Sequence, residues 1–349
     1  MTKQQTTPCR RNQRGFSIVE LMIAMLLGLL LMAGVLQLFS SNKTTFMGME
    51  GIAEIQNGAR AGIERMKSRI RMSGYMGCSN ANVLNPNNIT TGIAQTPFAP
   101  NVMVTGVDND AAVNAVIDGT DSINVISASA ANTRLNASMA SRSSDLVIVS
   151  NPYNFRENDA LVITDCDTAD VFAISSMTGT GPFTIAHAVA NTNGDVINGS
   201  TSLVKAYGAN ASLVMSLSSV TYSVQDTGRT DNAGNPVLGL FETPAGGAAV
   251  EVVSGVEDMQ ITYGIDASPT PNGEADSYQS APAAGSPLWS RVVSVRIALR
   301  IATEREIGHE VRPYKNLTNT ASPTGAVQAG DRHMRRNFVT TIGLRNRSS

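Results

Sequence analysis

The chain has 349 residues, only 15% of them charged, with 26 basic and 28 acidic side chains and a formal net charge of -2. That length holds one large domain or two ordinary ones, and a composition filled out by Ser, Thr, Asn, Gly and Ala is that of a neutral, β-rich exported protein. The balance leaves no basic field for holding nucleic acid.

The charge is uneven. Lys3, Arg10, Arg11 and Arg14 fall in the first fifteen residues with no acid among them, so a basic leader precedes a mildly acidic remainder. Of the three cysteines, Cys9 lies in that leader, and its removal leaves Cys78 and Cys166. After the leader, Leu21 to Leu36 are drawn only from Leu, Ile, Val, Met, Ala and Gly, and the apolar character extends from Phe16 to Phe39. As a helix this segment covers roughly 36 Å, more than a hydrocarbon core of about 30 Å. The positive-inside rule leaves the leader in the cytoplasm and everything after Lys43 outside. A cleaved secretory signal has a shorter apolar region and a small-residue cut, which Gln37-Leu38-Phe39-Ser40 does not supply. A plain anchor fits the length but does not account for Glu20, because an ionisable group costs on the order of 2–3 kcal/mol near the centre of a spanning helix and less near its end.

The run Arg14-Gly15-Phe16-Ser17-Ile18-Val19-Glu20-Leu21 resembles the type IV prepilin signature. The resemblance implies that a prepilin peptidase cuts between Gly15 and Phe16 and that the new amine of Phe16 is methylated. It also implies that Glu20 meets the amine of a neighbouring subunit during assembly; the plainer alternative is a Glu snorkelling to the headgroups. Near a helix N-terminus the macrodipole also favours an anion.

No proline lies between Pro8 and Pro86, so one long helix can continue beyond the membrane. Ile52, Ile55, Ala59, Ile63, Met66 and Ile70 recur at spacings of 3, 4, 4, 3 and 4 and predict a packed face. Glu50, Glu54, Arg60, Glu64, Arg65, Lys67, Arg69 and Arg71 predict a solvated one, with Arg60 and Glu64 as an i,i+4 pair. Gly48, Gly51, Gly58 and Gly62 weaken the helix by up to about 1 kcal/mol each and are candidate points of bending. Ser73-Gly74 supplies the C-cap.

From Tyr75 onwards alternation predicts strands over Ser122–Ser127, Leu146–Val149, Leu161–Thr164, Val171–Ser175, Leu213–Val224, Val250–Ile265 and Arg336–Arg345. A further strand sets Val293, Val295, Ile297, Leu299 and Ile301 inward, with Ser294, Arg296, Ala298 and Arg300 outward. Asn85–Gly119, Asp266–Ser290 and Glu304–Arg332 are predicted loops. The fold class is therefore α+β and pilin-like, a long N-terminal helix packed on an antiparallel β-sheet domain. The expected divisions are a cleaved leader (1–15), a membrane-spanning half-helix (16–39), an amphipathic half (40–74) and a β-rich head (75–349). An exported location favours a Cys78–Cys166 disulfide, worth up to about 4.5 kcal/mol by chain entropy, over a free thiol pair.

Ser73–Cys78, Leu161–Cys166, Ala169–Phe172, Gly255–Met259 and Arg335–Asn346 look like the PilW family of minor pilins. The terminal Arg-Arg-x-Phe strand is also similar to the secretion pseudopilin GspJ. The PilW resemblance implies a subunit of a priming complex at the pilus tip that starts assembly and presents a PilY-type adhesin, in adhesion and twitching. Implied partners are other minor pilins, the major pilin, the prepilin peptidase, the inner-membrane assembly platform and, before assembly, membrane lipid. It implies an inner-membrane location first and the pilus tip afterwards. His187, His309 and His333 are scattered without a catalytic motif, so no enzyme, cofactor or metal is expected. Asp226–Asn235 misses the EF-hand spacing and reads as a hairpin turn, with calcium as the alternative. A GspJ-like pseudopilin, and more remotely a membrane-anchored periplasmic binding protein, are the rival functions.

Overall fold

A computed structural model describes residues 15, 17–77, 86–90, 103–110, 119–191, 198–209, 211–317 and 327–346. The chain divides into two compact units, Met1–Glu50 and Gly51–Ser349. Helix α1 (Ile18–Arg71) begins in the first and ends in the second. In the first unit its large apolar side chains from Ile18 to Phe39 are open, from 50% exposed at Leu21 to 79% at Ile18. This part is long and apolar enough to cross a membrane.

In the second unit α1 buries Gly51, Ile55, Ala59, Gly62, Met66 and Ile70, a single stripe at helical spacing. Of the expected stripe, Ile63 is partly buried against the core and Ile52 lies half-buried beside it, while Gly51 and Gly62 are buried. Close approach explains the difference. A Cβ at Gly51 would lie 2.7 Å from Thr303 Cγ2, one at Gly58 2.9 Å from Val253 Cγ1, and one at Gly62 2.8 Å from Val253 Cγ2. The helix ends at Arg71, and Gly74, at φ +72°, donates its N–H to Ile126 O at 3.1 Å.

The strands of the head are β1 (Asn87–Asn88), β2 (Val104–Asp110), β3 (Thr120–Arg134), β4 (Leu146–Ile148), β5 (Ala160–Thr164) and β6 (Ala169–Ala173). They continue with β7 (Ser176–Thr178), β8 (Phe183–Ala186), β9 (Leu213–Thr230), β10 (Pro236–Pro244), β11 (Val250–Ser254) and β12 (Val256–Ile265). The last are β13 (Ser277–Gln279), β14 (Val292–Ala302), β15 (Arg312–Lys315), β16 (Val327–Asp331) and β17 (Arg335–Gly343). Eight strands form the largest sheet, in the order β1-β6-β5-β9-β10-β11 with β3 and β2 joined alongside β9. A second sheet runs β13-β12-β14-β17, and β4-β8-β7 and β15-β16 are smaller ones. Every pairing is antiparallel except the two-residue β1–β6 contact. The main core joins the helix stripe to β9, β10, β12 and β14, through residues such as Tyr222, Leu240, Met259, Tyr263, Val295 and Leu299.

Three sequence expectations are corrected. Val250–Ile265 is two strands, broken at Gly255, whose φ of +76° only glycine takes without strain. The expected loops Asn85–Gly119 and Glu304–Arg332 contain β1 and β2, and β15 and β16, formed by pairing and not by local preference. Ser294, Ala298 and Arg300, expected outside, are buried, because β14 is an inner strand whose second face is also covered.

Candidate functional site

Gly15 is exposed, and a Cβ there would meet nothing within 4 Å, so the subunit's own packing makes no demand for glycine. Phe16 lies outside the described residues. Ser17 caps α1, its Oγ accepting from Val19 N–H at 3.3 Å and its carbonyl from Leu21 N–H at 3.1 Å. Glu20 sits in the first helical turn, exposed and without a hydrogen-bond or ion-pair partner among the described residues. A lone carboxylate therefore opens an uncovered apolar helix.

One ion network of the head gathers beside β17. Arg335 lies between two carboxylates, Glu257 at 2.6 and 2.7 Å and Asp331 at 2.7 and 2.7 Å, with its guanidinium 4.0 Å from the Tyr314 ring. Arg300, on the neighbouring strand, bonds Asp258 at 2.8 Å and Lys315 O at 2.8 Å. Burial pushes the Asp258 carboxyl up against the pull of Gln260 and Arg300; burial also raises Asp331, but there Arg335 prevails and holds it below the usual range. Glu257 and Asp258 come from Gly255–Met259 and Arg335 from Arg335–Asn346, so two stretches far apart in the chain meet in one ion network. The sequence marked them as signatures without revealing the pairing.

A second network went unnoticed. Arg65 and Arg69, expected on the solvated face, turn to Glu242 on β10 at 2.6 and 3.8 Å, and the Tyr222 hydroxyl donates to the same carboxylate at 3.0 Å. Glu64 pairs with Lys67 at 3.0 Å, not with Arg60.

The histidines remain apart. His187 is buried beside Phe172, and burial pushes its imidazole down; His309 is exposed; His333 lies 2.7 Å from Thr303 O and 3.0 Å from Asp231 Oδ2. The Asp226–Asn235 segment makes the β9–β10 hairpin, closed by Asp231–Asn235, and among the described residues no cluster of His, Cys, Asp and Glu is arranged to hold a metal. Cys166, at φ +78°, takes part in a disulfide, and Cys78 lies outside the described residues.

Two family models match the chain. Residues 10–36 match the prokaryotic N-terminal methylation motif, and residues 221–346 match the type IV pilus-assembly protein W. These two matches support a type IV pilus minor pilin of the PilW family. The second match takes in both the Arg335 network and the β9–β10 hairpin, and the first takes in Gly15, Glu20 and the start of the apolar helix. No curated protein and no solved structure matches the chain. The methylation motif and the apolar helix support membrane anchoring, and the pilus-assembly match supports interaction with other pilins and the assembly machinery.

Proposed function

We propose that this pilin primes assembly at the pilus tip. The prepilin peptidase removes residues 1–15 by cutting between Gly15 and Phe16, and Phe16 is methylated. The spanning part is 16–39, the amphipathic part 40–74, and the head 75–349 faces the periplasm before assembly and the cell surface after it. On leaving the bilayer, Glu20 pairs with the Phe16 amine of a neighbour, which offsets the burial of both charges and sets the axial register. The head joins other minor pilins above the major pilin, presents a PilY-type adhesin, carries out no catalysis and is closed by a Cys78–Cys166 disulfide.

The observation that carries this reading is Glu20, without a partner among the described residues, at the start of an exposed apolar helix. Mass spectrometry of the mature N-terminus tests it. Methylated Phe16 is expected, and an intact Met1 or a cut after Ser40 would overturn it. The Arg335-Arg336-x-Phe338 strand favours a GspJ-like pseudopilin as the second reading. Gene deletion separates the two, since loss of twitching marks the pilus and loss of enzyme secretion marks the secretion system.

A further inference from the structure

β17 is the outermost strand of its sheet and pairs with β14 over nine consecutive residues without a register shift. Just past its ends, Met334 O accepts from Thr303 N–H at 2.9 Å and Leu344 N–H donates to Val293 O at 2.9 Å. The even-numbered residues of β17 therefore turn their main-chain groups to β14, and alternation turns those of Asn337, Val339, Thr341 and Gly343 away from it. All four residues are exposed, Val339 by 52%. No described residue bonds to their outward N–H and C=O groups.

An open strand edge is a template for another chain, and proteins blunt such edges with charge, proline, bulges or short length. The other edges of the two largest sheets are blunted. β11 is bulged against β10 and carries Glu251 paired with Arg229, β2 is bulged and contains Asp108, and β13 and β1 have three and two residues. β17 has no proline, bulge or acid, and no charge from Asn337 to Gly343.

We propose that this edge receives an extended segment of a neighbouring pilin subunit, which adds a fifth strand to the sheet through the main chain of Asn337 to Gly343. The inference rests on the pilin reading. Charge selects the occupant. Arg336 is exposed and has no ion-pair partner among the described residues, so the incoming segment places an Asp or Glu opposite it. A second copy of this chain fits less well: antiparallel self-pairing about Val339 sets Arg336 against Ile342 and leaves both guanidiniums unmatched.

The test compares the full-length subunit alone in detergent micelles with the affinity-tagged subunit recovered in detergent with its co-assembled pilins from pilus-forming cells. Residue-resolved amide exchange is expected to slow at least tenfold, on the order of a protected ladder bond, at Asn337, Val339 and Thr341, and to stay unchanged at Phe338, Thr340 and Ile342. Absence of that odd–even contrast overturns the proposal. Val339→Pro removes one outward N–H while leaving the β14 ladder intact, so it is expected to cut recovery of co-assembled pilins severalfold, and Val339→Thr is not. Should Val339→Pro prove misfolded by circular dichroism, Arg336→Glu, expected to weaken recovery by opposing the incoming acid, takes its place. Normal recovery with a folded variant overturns the proposal, as does dimerisation of the pure subunit through this edge. If Phe16 is methylated and the edge stays unprotected, the edge inference alone falls; if Phe16 is never generated, the pilin reading falls.

Discussion

Glu242 is only 6% exposed, yet it is an anion with three donors around it. The Arg65 hydrogen bond outweighs burial and, with Tyr222, holds the carboxyl below its ordinary value of 4.5. The folded state thus binds this proton less readily than the unfolded chain. Its contribution is fully present above an unfolded pKa of 4.5 and is lost as pH falls through the lower folded value. Glu242→Gln is expected to cost about 1–3 kcal/mol at neutral pH, and urea unfolding should show that deficit shrinking in acid. An equal deficit at about pH 3 would contradict the charge argument. At Arg335, replacement by Met takes the arginine from Asp331 and leaves Glu257 only Arg300, at 3.4 Å, and is expected to cost about 3–5 kcal/mol, whereas exposed Arg336→Met stays within about 0.5 kcal/mol. Thermal unfolding of the two variants side by side checks this. Both arginines were legible in the sequence, but only the fold separates them, because alternation turns one towards Glu257 and the other to solvent.

The contact of α1 with the sheet depends on missing side chains. Gly62→Ala would gain about 1 kcal/mol of helix propensity, but its Cβ meets a β-branched Val253 that has little room to yield, and overpacking costs about 1–3 kcal/mol. A net loss of stability is expected, partly restored by adding Val253→Ala; a more stable single variant would refute the close-contact reading. Gly34 offers the contrast, since a Cβ there meets nothing within 4 Å, and Gly34→Ala should leave head unfolding unchanged. The helix itself was legible because apolar content and the absence of proline speak over long distances. Its packed face held at Ile63, which is partly buried against the core, but missed Gly51 and Gly62 because periodicity counts hydrophobic residues, whereas a tight interface selects small ones. Similarly, alternation found the inner face of β14 in Val295, Ile297, Leu299 and Ile301 but could not reveal what covers Ala298 and Arg300. β2 and β10, interrupted by Gly, Asp or Pro, exist through their partners and left little local trace.

For the whole molecule, the division of labour between the units is itself testable. Glu20→Gln removes a carboxylate with no partner among the described residues, so the melting curve of the head should be unchanged while piliation drops at least tenfold, as expected for loss of a charge pair worth at least about 1.4 kcal/mol. A destabilised head would mean that Glu20 serves the fold. The anchor and its cleavage signal were readable because they obey one-dimensional rules, whereas the open edge of β17 emerged only from sheet order. The uncovered helix has one further consequence. Lipid tails are about as apolar as leucine, so moving Leu21 to Leu36 from a bilayer into a bundle of like helices involves almost no change of effective solvent. The greasy surface makes the subunit equally at home in either phase and confers no direction on the transfer; direction must come from shape fit and from the one carboxylate that neither phase tolerates alone.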